Sequence, residues 1–342
     1  MINVLIVDDS LFMRQAVRRI LSADARLRVI GEARDGTEGV EQVIRLQPDV
    51  VTMDFNMPGL TGAEAVREIM RLRPTPIVML SAHTQAGARE TLEALAAGAV
   101  DFLPKPSGEV SADFSRIQNA LVQKVLAAAQ AHPRVQLPVT PPPARPIGRT
   151  TWPASGPRVV VIAVSTGGPA ALGRFLPALP GDTPFGLVVV QHMPAEFTRA
   201  LGDRLNAMCA LEVREAREGD RPRQARVLIA PGDRHLEFAD GGSIRLSDGP
   251  EVNGCRPSAD VTMQAAARVF GARAIGLVMT GMGRDGADGA AAIKSAGGVT
   301  LAQDQESSVI FGMPRAAIES GAIDHVVGLD FLAAQLLRIA PT

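Results

Sequence analysis

Arg158-Val159-Val160-Val161-Ile162-Ala163-Val164, followed by Ser165-Thr166-Gly167-Gly168-Pro169, is one of two segments that decide the fold. The other is Val4-Leu5-Ile6-Val7, followed by Asp8-Asp9-Ser10. Each is a short apolar run rich in β-branched residues that ends in polar residues and passes into a helical pattern, which reads as strand, turn and helix. In open parallel α/β sheets, ligands bind at the carboxyl ends of the strands. The chain thus presents two such ends of different chemistry. One is acidic, suited to a metal ion and phosphate, and the other offers a hydroxyl beside a glycine turn.

Working outward from Val4–Ser10, strands are expected over residues 3–7, 29–33, 50–53, 77–80 and 99–102, with helical patterns between them, among them 36–46 and 62–71. Ile117, Leu121, Val125 and Leu126 recur at helical spacing and make a fifth helix. Five βα units predict a doubly wound sheet joined by right-handed crossovers over residues 1–125. Residues 126–156 include Pro-Val-Thr-Pro-Pro-Pro-Ala-Arg-Pro and little apolar periodicity, and read as a proline-rich linker.

From Arg158–Pro169, strands are expected over 158–164, 186–191, 211–215, 226–229, 275–279 and 299–303, and helices over 169–179, 195–208, 259–270 and 286–296. Residues 235–239 and 243–247, joined by Asp240-Gly241-Gly242, read as an inserted β-hairpin. Residues 157–342 therefore form a second, mostly parallel α/β domain. A length of 342 residues fits two domains.

The 35 basic and 36 acidic side chains leave a net charge of -1, which gives no electrostatic footprint for nucleic acid or an anionic membrane. With no tyrosine and one tryptophan, Trp152, a stacking platform for single-stranded nucleic acid is also disfavoured. Apolar runs are strand-sized, so no membrane insertion is expected. No basic segment with a small-residue cleavage site opens the sequence. Cys209 and Cys255 form neither a metal spacing nor a disulfide framework, and a cytoplasmic location is expected.

Asp8, Asp9 and Asp54 each follow an apolar strand. If the first and third strands are neighbours, three carboxylates converge and repel one another, a conflict that a divalent cation with oxygen ligands removes; Mg2+ suits them. Ser81 and Lys105 end the fourth and fifth strands. One strand-end aspartate is an ordinary helix cap; five polar residues ending successive strands suit transfer of a phosphoryl group onto a carboxylate.

These residues resemble the receiver domain of two-component response regulators, through Val7-Asp8-Asp9-Ser10, Met53-Asp54-Phe55-Asn56-Met57-Pro58, Ser81-Ala82 and Lys105-Pro106. The resemblance implies that Asp54 accepts the phosphoryl group from a chemotaxis histidine kinase, and that Asp8, Asp9, Asp54 and the backbone carbonyl of Asn56 hold Mg2+. It also implies that Ser81 and Lys105 contact the phosphoryl group and that Phe102 is a switch aromatic. Asn56 is a departure, where close relatives often carry glutamate.

In the second domain Ser165 follows a buried strand and precedes a helix N-terminus, whose free N–H groups favour developing negative charge. Serine there is also a common helix cap. His192 follows the second strand, in Gln191-His192-Met193-Pro194. Asp285 lies in Thr280-Gly281-Met282-Gly283-Arg284-Asp285-Gly286, after the fifth. If the three strand ends converge, they supply nucleophile, general base and orienting carboxylate. The order Ser, His, Asp and the lack of a G-x-S-x-G elbow set the chain apart from ordinary lipases and esterases. A rival reading takes Gly281–Gly286 as G-x-G-x-x-G with Asp304 as the ribose ligand, making the domain a nucleotide-binding module. The Asp285 carboxylate beside a pyrophosphate and the late position of the motif count against it.

Ser165–Pro169, Gln191-His192-Met193, Ala230-Pro231-Gly232, Arg256-Pro257-Ser258-Ala259-Asp260 and Thr280–Gly286 resemble the catalytic domain of chemotaxis protein-glutamate methylesterases. The resemblance implies hydrolysis of γ-glutamyl methyl esters on the cytoplasmic helices of methyl-accepting chemoreceptors, with release of methanol, and deamidation of certain receptor glutamines. Ser165, His192 and Asp285 become the catalytic residues, without a cofactor in this domain, and the backbone N–H groups of Thr166 and Met282 the oxyanion-hole candidates. The departures are Ala163-Val164, where the family often has Gly-Ala, and Cys255, where it often has histidine. The second is expected to touch none of the triad.

Overall fold

The computed structural model describes residues 1–81, 85–105, 113–131 and 158–340. The chain divides into two compact units, Met1–Pro138 and Val139–Thr342. Most of the proline-rich stretch, from residue 132 to 157, lies outside the described residues, as do Ala82 and Pro106.

The first unit runs β1 (Ile2–Val7), α1 (Leu11–Ser22), β2 (Leu27–Ala33), α2 (Gly36–Leu46), β3 (Val50–Asp54), α3 (Gly62–Leu72), β4 (Ile77–Ser81), α4 (Gln85–Ala97), β5 (Asp101–Pro104) and α5 (Asp113–Ala128). Its five strands are parallel in the order β2-β1-β3-β4-β5, so the first and third strands are neighbours, with Val7 opposite Met53. The chain reverses into its helices through side-chain caps. Asp35 accepts from Glu38 N at 2.8 Å, and Thr61 and Glu64 form a reciprocal capping box.

Strand β5 lies two residues later than the hydrophobic run suggests. Ala99 and Val100 close the turn out of α4 by donating to Ala94 O and Ile77 O. The strand then opens on a buried aspartate, Asp101, whose charge Lys124 of α5 meets at 2.7 Å. An ion pair places a charged residue where a hydrophobicity pattern excludes one.

The second unit runs β6 (Val159–Val164), α6 (Gly168–Phe175), β7 (Gly186–Gln191), α7 (Ala195–Met208), β8 (Glu212–Glu215), β9 (Arg226–Ile229), β10 (His235–Phe238), β11 (Ile244–Ser247), α8 (Ala259–Phe270), β12 (Ala274–Val278), α9 (Ala287–Ser295), β13 (Val299–Gln303), α10 (Met313–Glu319), β14 (His325–Val327) and α11 (Leu332–Ile339). Seven strands make one parallel sheet ordered β14-β13-β12-β6-β7-β9-β8, and β10 and β11 form the antiparallel hairpin. Every residue of β6 and β7 is buried, as expected for a parallel sheet covered on both faces. Full burial of each valine or isoleucine there contributes roughly 1.5–3 kcal/mol.

The helix expected over 169–179 ends at Phe175 and tightens into a 3-10 turn, Leu176–Ala178, because Pro177 supplies no N–H to continue the α ladder. Strand β14 and helices α10 and α11 were not expected from the sequence.

Candidate functional site

The acidic cluster of the first unit forms where β1 and β3 end side by side. Carboxylate oxygens of Asp8, Asp9 and Asp54 all lie within 4.8 Å of one another. Lys105 Nζ is 2.9 Å from Asp8 Oδ2 and 2.9 Å from Asp54 Oδ2. Burial pushes the Asp54 carboxyl up, Lys105 pulls it down and the Asp8 charge pushes it up again; the net direction is upward. Burial would lower the Lys105 ammonium, but Asp54 and Asp8 outweigh it and hold it charged. Asp8 Oδ2 is buried and has the ammonium beside it without a hydrogen bond of good geometry. Three converging carboxylates, one with an unsatisfied buried oxygen, fit a hard divalent cation.

The remaining residues expected around this cluster have contacts of their own. The Ser81 hydroxyl is buried and donates to Gly87 O at 3.1 Å. The Phe102 ring is buried, with the Lys124 ammonium 5.9 Å from its centroid. Asn56 is exposed and its side chain donates to Glu90 Oε2 at 3.2 Å.

In the second unit β12, β6 and β7 are consecutive neighbours, and Ser165, His192 and Asp285 follow their carboxyl ends. Val164 pairs with Gln191, so Ser165 and His192 leave adjacent strands together, and His192 N donates to Val164 O at 3.1 Å. His192 Nε2 lies 2.7 Å from Asp285 Oδ2. The Ser165 hydroxyl is half-exposed and makes no hydrogen bond among the described residues, to His192 or to any other. Ser165 N donates to Thr280 O at 3.0 Å, which ties the turn at Ser165 to the loop carrying Asp285.

Glycines make this closeness feasible. A Cβ on Gly281 would meet Ser165 Cβ at 2.8 Å, and one on Gly168 would overlap Gln191 Oε1. The Gln191 amide runs beneath the turn and donates to Ser165 O at 3.0 Å and His192 O at 3.3 Å. It joins the backbone of Ser165 to that of His192. The Met282 N–H, beside Ser165 through Gly281, donates to none of the described residues.

Asp285 is surrounded by donors. Its Oδ1 accepts from Ser258 Oγ at 2.6 Å, Asp260 N at 3.2 Å and Asn253 Nδ2 at 3.2 Å; its Oδ2 accepts from Ala259 N at 2.6 Å besides His192. Burial alone would raise this carboxyl, but the His192 contact and the donors hold it well below the ordinary carboxylate range. Burial alone would lower the imidazole; Asp285 and the Cys255 contact outweigh that and hold it up, to about 9.

Cys255 corrects the expectation that its loop leaves the triad untouched: Sγ lies 3.6 Å from His192 Nδ1. The supporting groups Asn253, Ser258 and Asp260 also escape a sequence reading, although Ser258 and Asp260 lie within a motif quoted for the family.

The nucleotide-binding alternative meets a physical obstacle. The N–H groups of Gly286 and Gly289, at the start of α9 where a pyrophosphate would sit, donate to Asp260 Oδ1 at 2.9 and 2.6 Å. Asp304 accepts from Ser307 Oγ at 2.6 Å.

Comparison with known proteins adds independent findings. Residues 160–336 match the family described as CheB methylesterase, and residues 4–112 the response regulator receiver domain. A protein-glutamate methylesterase/protein-glutamine glutaminase of Symbiobacterium thermophilum is 46% identical, over 98% of this chain and 96% of that protein. One of Pyrococcus horikoshii with the same description is 45% identical, over 96% of this chain and 91% of its own length. The crystal structure of the Thermotoga maritima CheB methylesterase catalytic domain superposes with a TM-score of 0.53 at 39% identity, covering 54% of this chain and 100% of that one.

Proposed function

The chain belongs to the CheB methylesterase family, with a response regulator receiver domain ahead of its methylesterase domain, and on that premise we propose that it is a phosphorylation-activated serine hydrolase acting on chemoreceptors. Its substrates are γ-glutamyl methyl esters on the cytoplasmic helices of methyl-accepting receptors. The products are the glutamate side chain and methanol, and the same chemistry on receptor glutamines releases ammonia. The work is cytoplasmic. Among the described residues no helix is long and apolar enough to cross a membrane.

Ser165 Oγ attacks the ester carbonyl carbon. Because Nε2 of His192 is hydrogen-bonded to Asp285, Nδ1 is the nitrogen that takes the serine proton and returns it to the departing methoxide. A water activated at the same nitrogen then hydrolyses the acyl-enzyme and regenerates Ser165. Asp285 holds the tautomer and the imidazolium. The developing oxyanion is met by the backbone N–H groups of Thr166 and Met282; losing one such donor typically costs about 3 kcal/mol of transition-state stabilisation.

In the receiver, Asp54 accepts the phosphoryl group from a chemotaxis histidine kinase. Asp8, Asp9, Asp54 and the Asn56 carbonyl would hold Mg2+, which supplies charge compensation when bound. Lys105, between Asp8 and Asp54, provides the cationic partner that survives the added charge of about -1.5 to -2. Ser81 and Phe102 are the residues that rearrange. Residues 1–125, 126–156 and 157–342 act as receiver, linker and catalyst.

The observation that carries the reading is the 2.7 Å hydrogen bond between His192 and Asp285, with the half-exposed Ser165 at the intervening strand end. The test is methanol release from a methylated receptor fragment, with and without a small phosphoryl donor and Mg2+. Absence of methanol under both conditions sinks the enzymatic reading, and equal rates sink activation by phosphorylation.

A further inference from the structure

Beyond the triad, the most informative cluster is a four-residue turn, Val252-Asn253-Gly254-Cys255. Val252 and Cys255 exchange backbone hydrogen bonds at 3.1 and 3.0 Å. Its central residues, Asn253 and Gly254, both have positive φ, 54° and 71°. Such a turn favours Asn-Gly because asparagine and glycine tolerate the left-handed region. Backbone economy therefore accounts for an asparagine here, but it does not account for where the side chain goes.

Asn253 Nδ2 lies 2.7 Å from Asp260 Oδ2 and 3.2 Å from Asp285 Oδ1. A carboxamide nitrogen carries two hydrogens, and here each has a carboxylate. Asp260 is itself buried, and its other oxygen caps Gly286 N and Gly289 N, one on each side of the start of α9 and directly beyond Asp285. Two carboxylates thus face each other across one amide. From the same turn, Cys255 Sγ reaches His192 Nδ1 at 3.6 Å and Asn253 O at 3.6 Å. One turn touches both the acid and the base of the triad.

We infer that Asn253 is a positioning residue of the triad: its amide bridges Asp260 to Asp285 and so keeps the charge of the carboxylate that orients His192 apart from that of Asp260. This rests on the catalytic roles proposed above for Asp285 and His192. Without the bridge, Asp285 Oδ1 keeps Ser258 Oγ and Asp260 N, so the carboxylate stays in place but faces Asp260 with no amide between them. Its negative charge is then less delocalised into donors and bears more strongly on the imidazole. The charged and titratable groups concerned are Asp285 and Cys255 against His192, Asp260 on α8, and Asp288 beyond it on α9.

Two variants of the full-length protein test this. Asn253→Gly keeps the left-handed backbone and removes the amide. Asn253→Asp keeps the shape and turns a donor into a third carboxylate. For Asn253→Gly, kcat should fall roughly 10- to 100-fold, the scale of a lost hydrogen bond to a charged group, with KM unchanged. The imidazole titration of His192, followed by NMR of its ring protons, should move to higher pH. Asn253→Asp should show the same changes, larger. An unchanged kcat and an unchanged His192 titration in Asn253→Gly overturn the inference, as does a loss confined to thermal stability or to KM. The titration does not depend on turnover: if the parent protein releases no methanol, the functional reading fails, and the His192 shift still decides the role of Asn253.

Discussion

His192 meets Asp285 through Nε2 at 2.7 Å and turns Nδ1 toward Cys255 Sγ at 3.6 Å, so in the proposed mechanism Nδ1 is the nitrogen that would serve Ser165. Asp285→Asn should keep the fold, because Ser258 Oγ and Asp260 N still donate to the remaining side-chain oxygen, while an amide N–H in place of Oδ2 loses the Ala259 N–H bond and favours the wrong tautomer at His192. A loss of roughly 10⁴-fold in kcat follows if serine-protease triads are a fair guide. Steady-state kinetics on a methyl ester substrate measure it, and a loss below tenfold contradicts the assigned role.

Ser165→Ala should abolish methanol release and leave the melting temperature within a degree or two (~0.5 kcal/mol or less), since the hydroxyl has no partner to lose. Retained turnover removes Ser165 from the mechanism.

The raised His192 pKa has two consequences for pH. As a base the imidazole must be neutral, so kcat/KM should climb between pH 7 and about 9, by up to roughly a hundredfold, measured against a Ser165→Ala blank. For stability the sign is opposite. The folded pKa lies above the ordinary imidazole value of 6.5, so the stabilisation is complete below that pH and is lost as pH rises through about 9, on the order of 3 kcal/mol at most. The depressed Asp285 carboxyl reports the same contact from its other side and adds no separate term in this window. Denaturation of the parent and Asp285→Asn across pH 6 to 10 checks this: only the parent should lose stability there.

Gly168→Ala should misplace the nucleophile without touching it. The added methyl overlaps the Gln191 amide, which must move and release Ser165 O and His192 O. A stability loss of about 1–3 kcal/mol together with reduced kcat is the expected result. Parent-like kinetics show that the amide strut is dispensable.

Asp54→Ala should carry no acid-labile phosphate. Lys105→Ala should still bind Mg2+, seen by titration, but fail to raise methanol release when given a phosphoryl donor, because the phosphoryl group then lacks its ammonium partner.

Much of this was legible in the sequence because strand ends announce themselves. Valine-rich runs closing on Asp8, Asp54, Ser165 and His192 locate both sites, and strands expected over 186–191, 226–229 and 299–303 match β7, β9 and β13. What escaped is short or relational. Strand β14 has three residues, too few for periodicity. Helix α10 has seven residues, with Pro314 near its start. Asn253, Ser258 and Asp260 escaped because what they do depends on partners about 25 to 32 residues away, and an isolated asparagine in an Asn-Gly pair reads only as a turn.

The crowd of donors around Asp285 also sets a clock. Two backbone N–H groups, one hydroxyl, one amide and the imidazole converge on a buried carboxylate, leaving little access for solvent on that side of the ring. A proton held between Nε2 and Oδ2 should consequently exchange only slowly with bulk water.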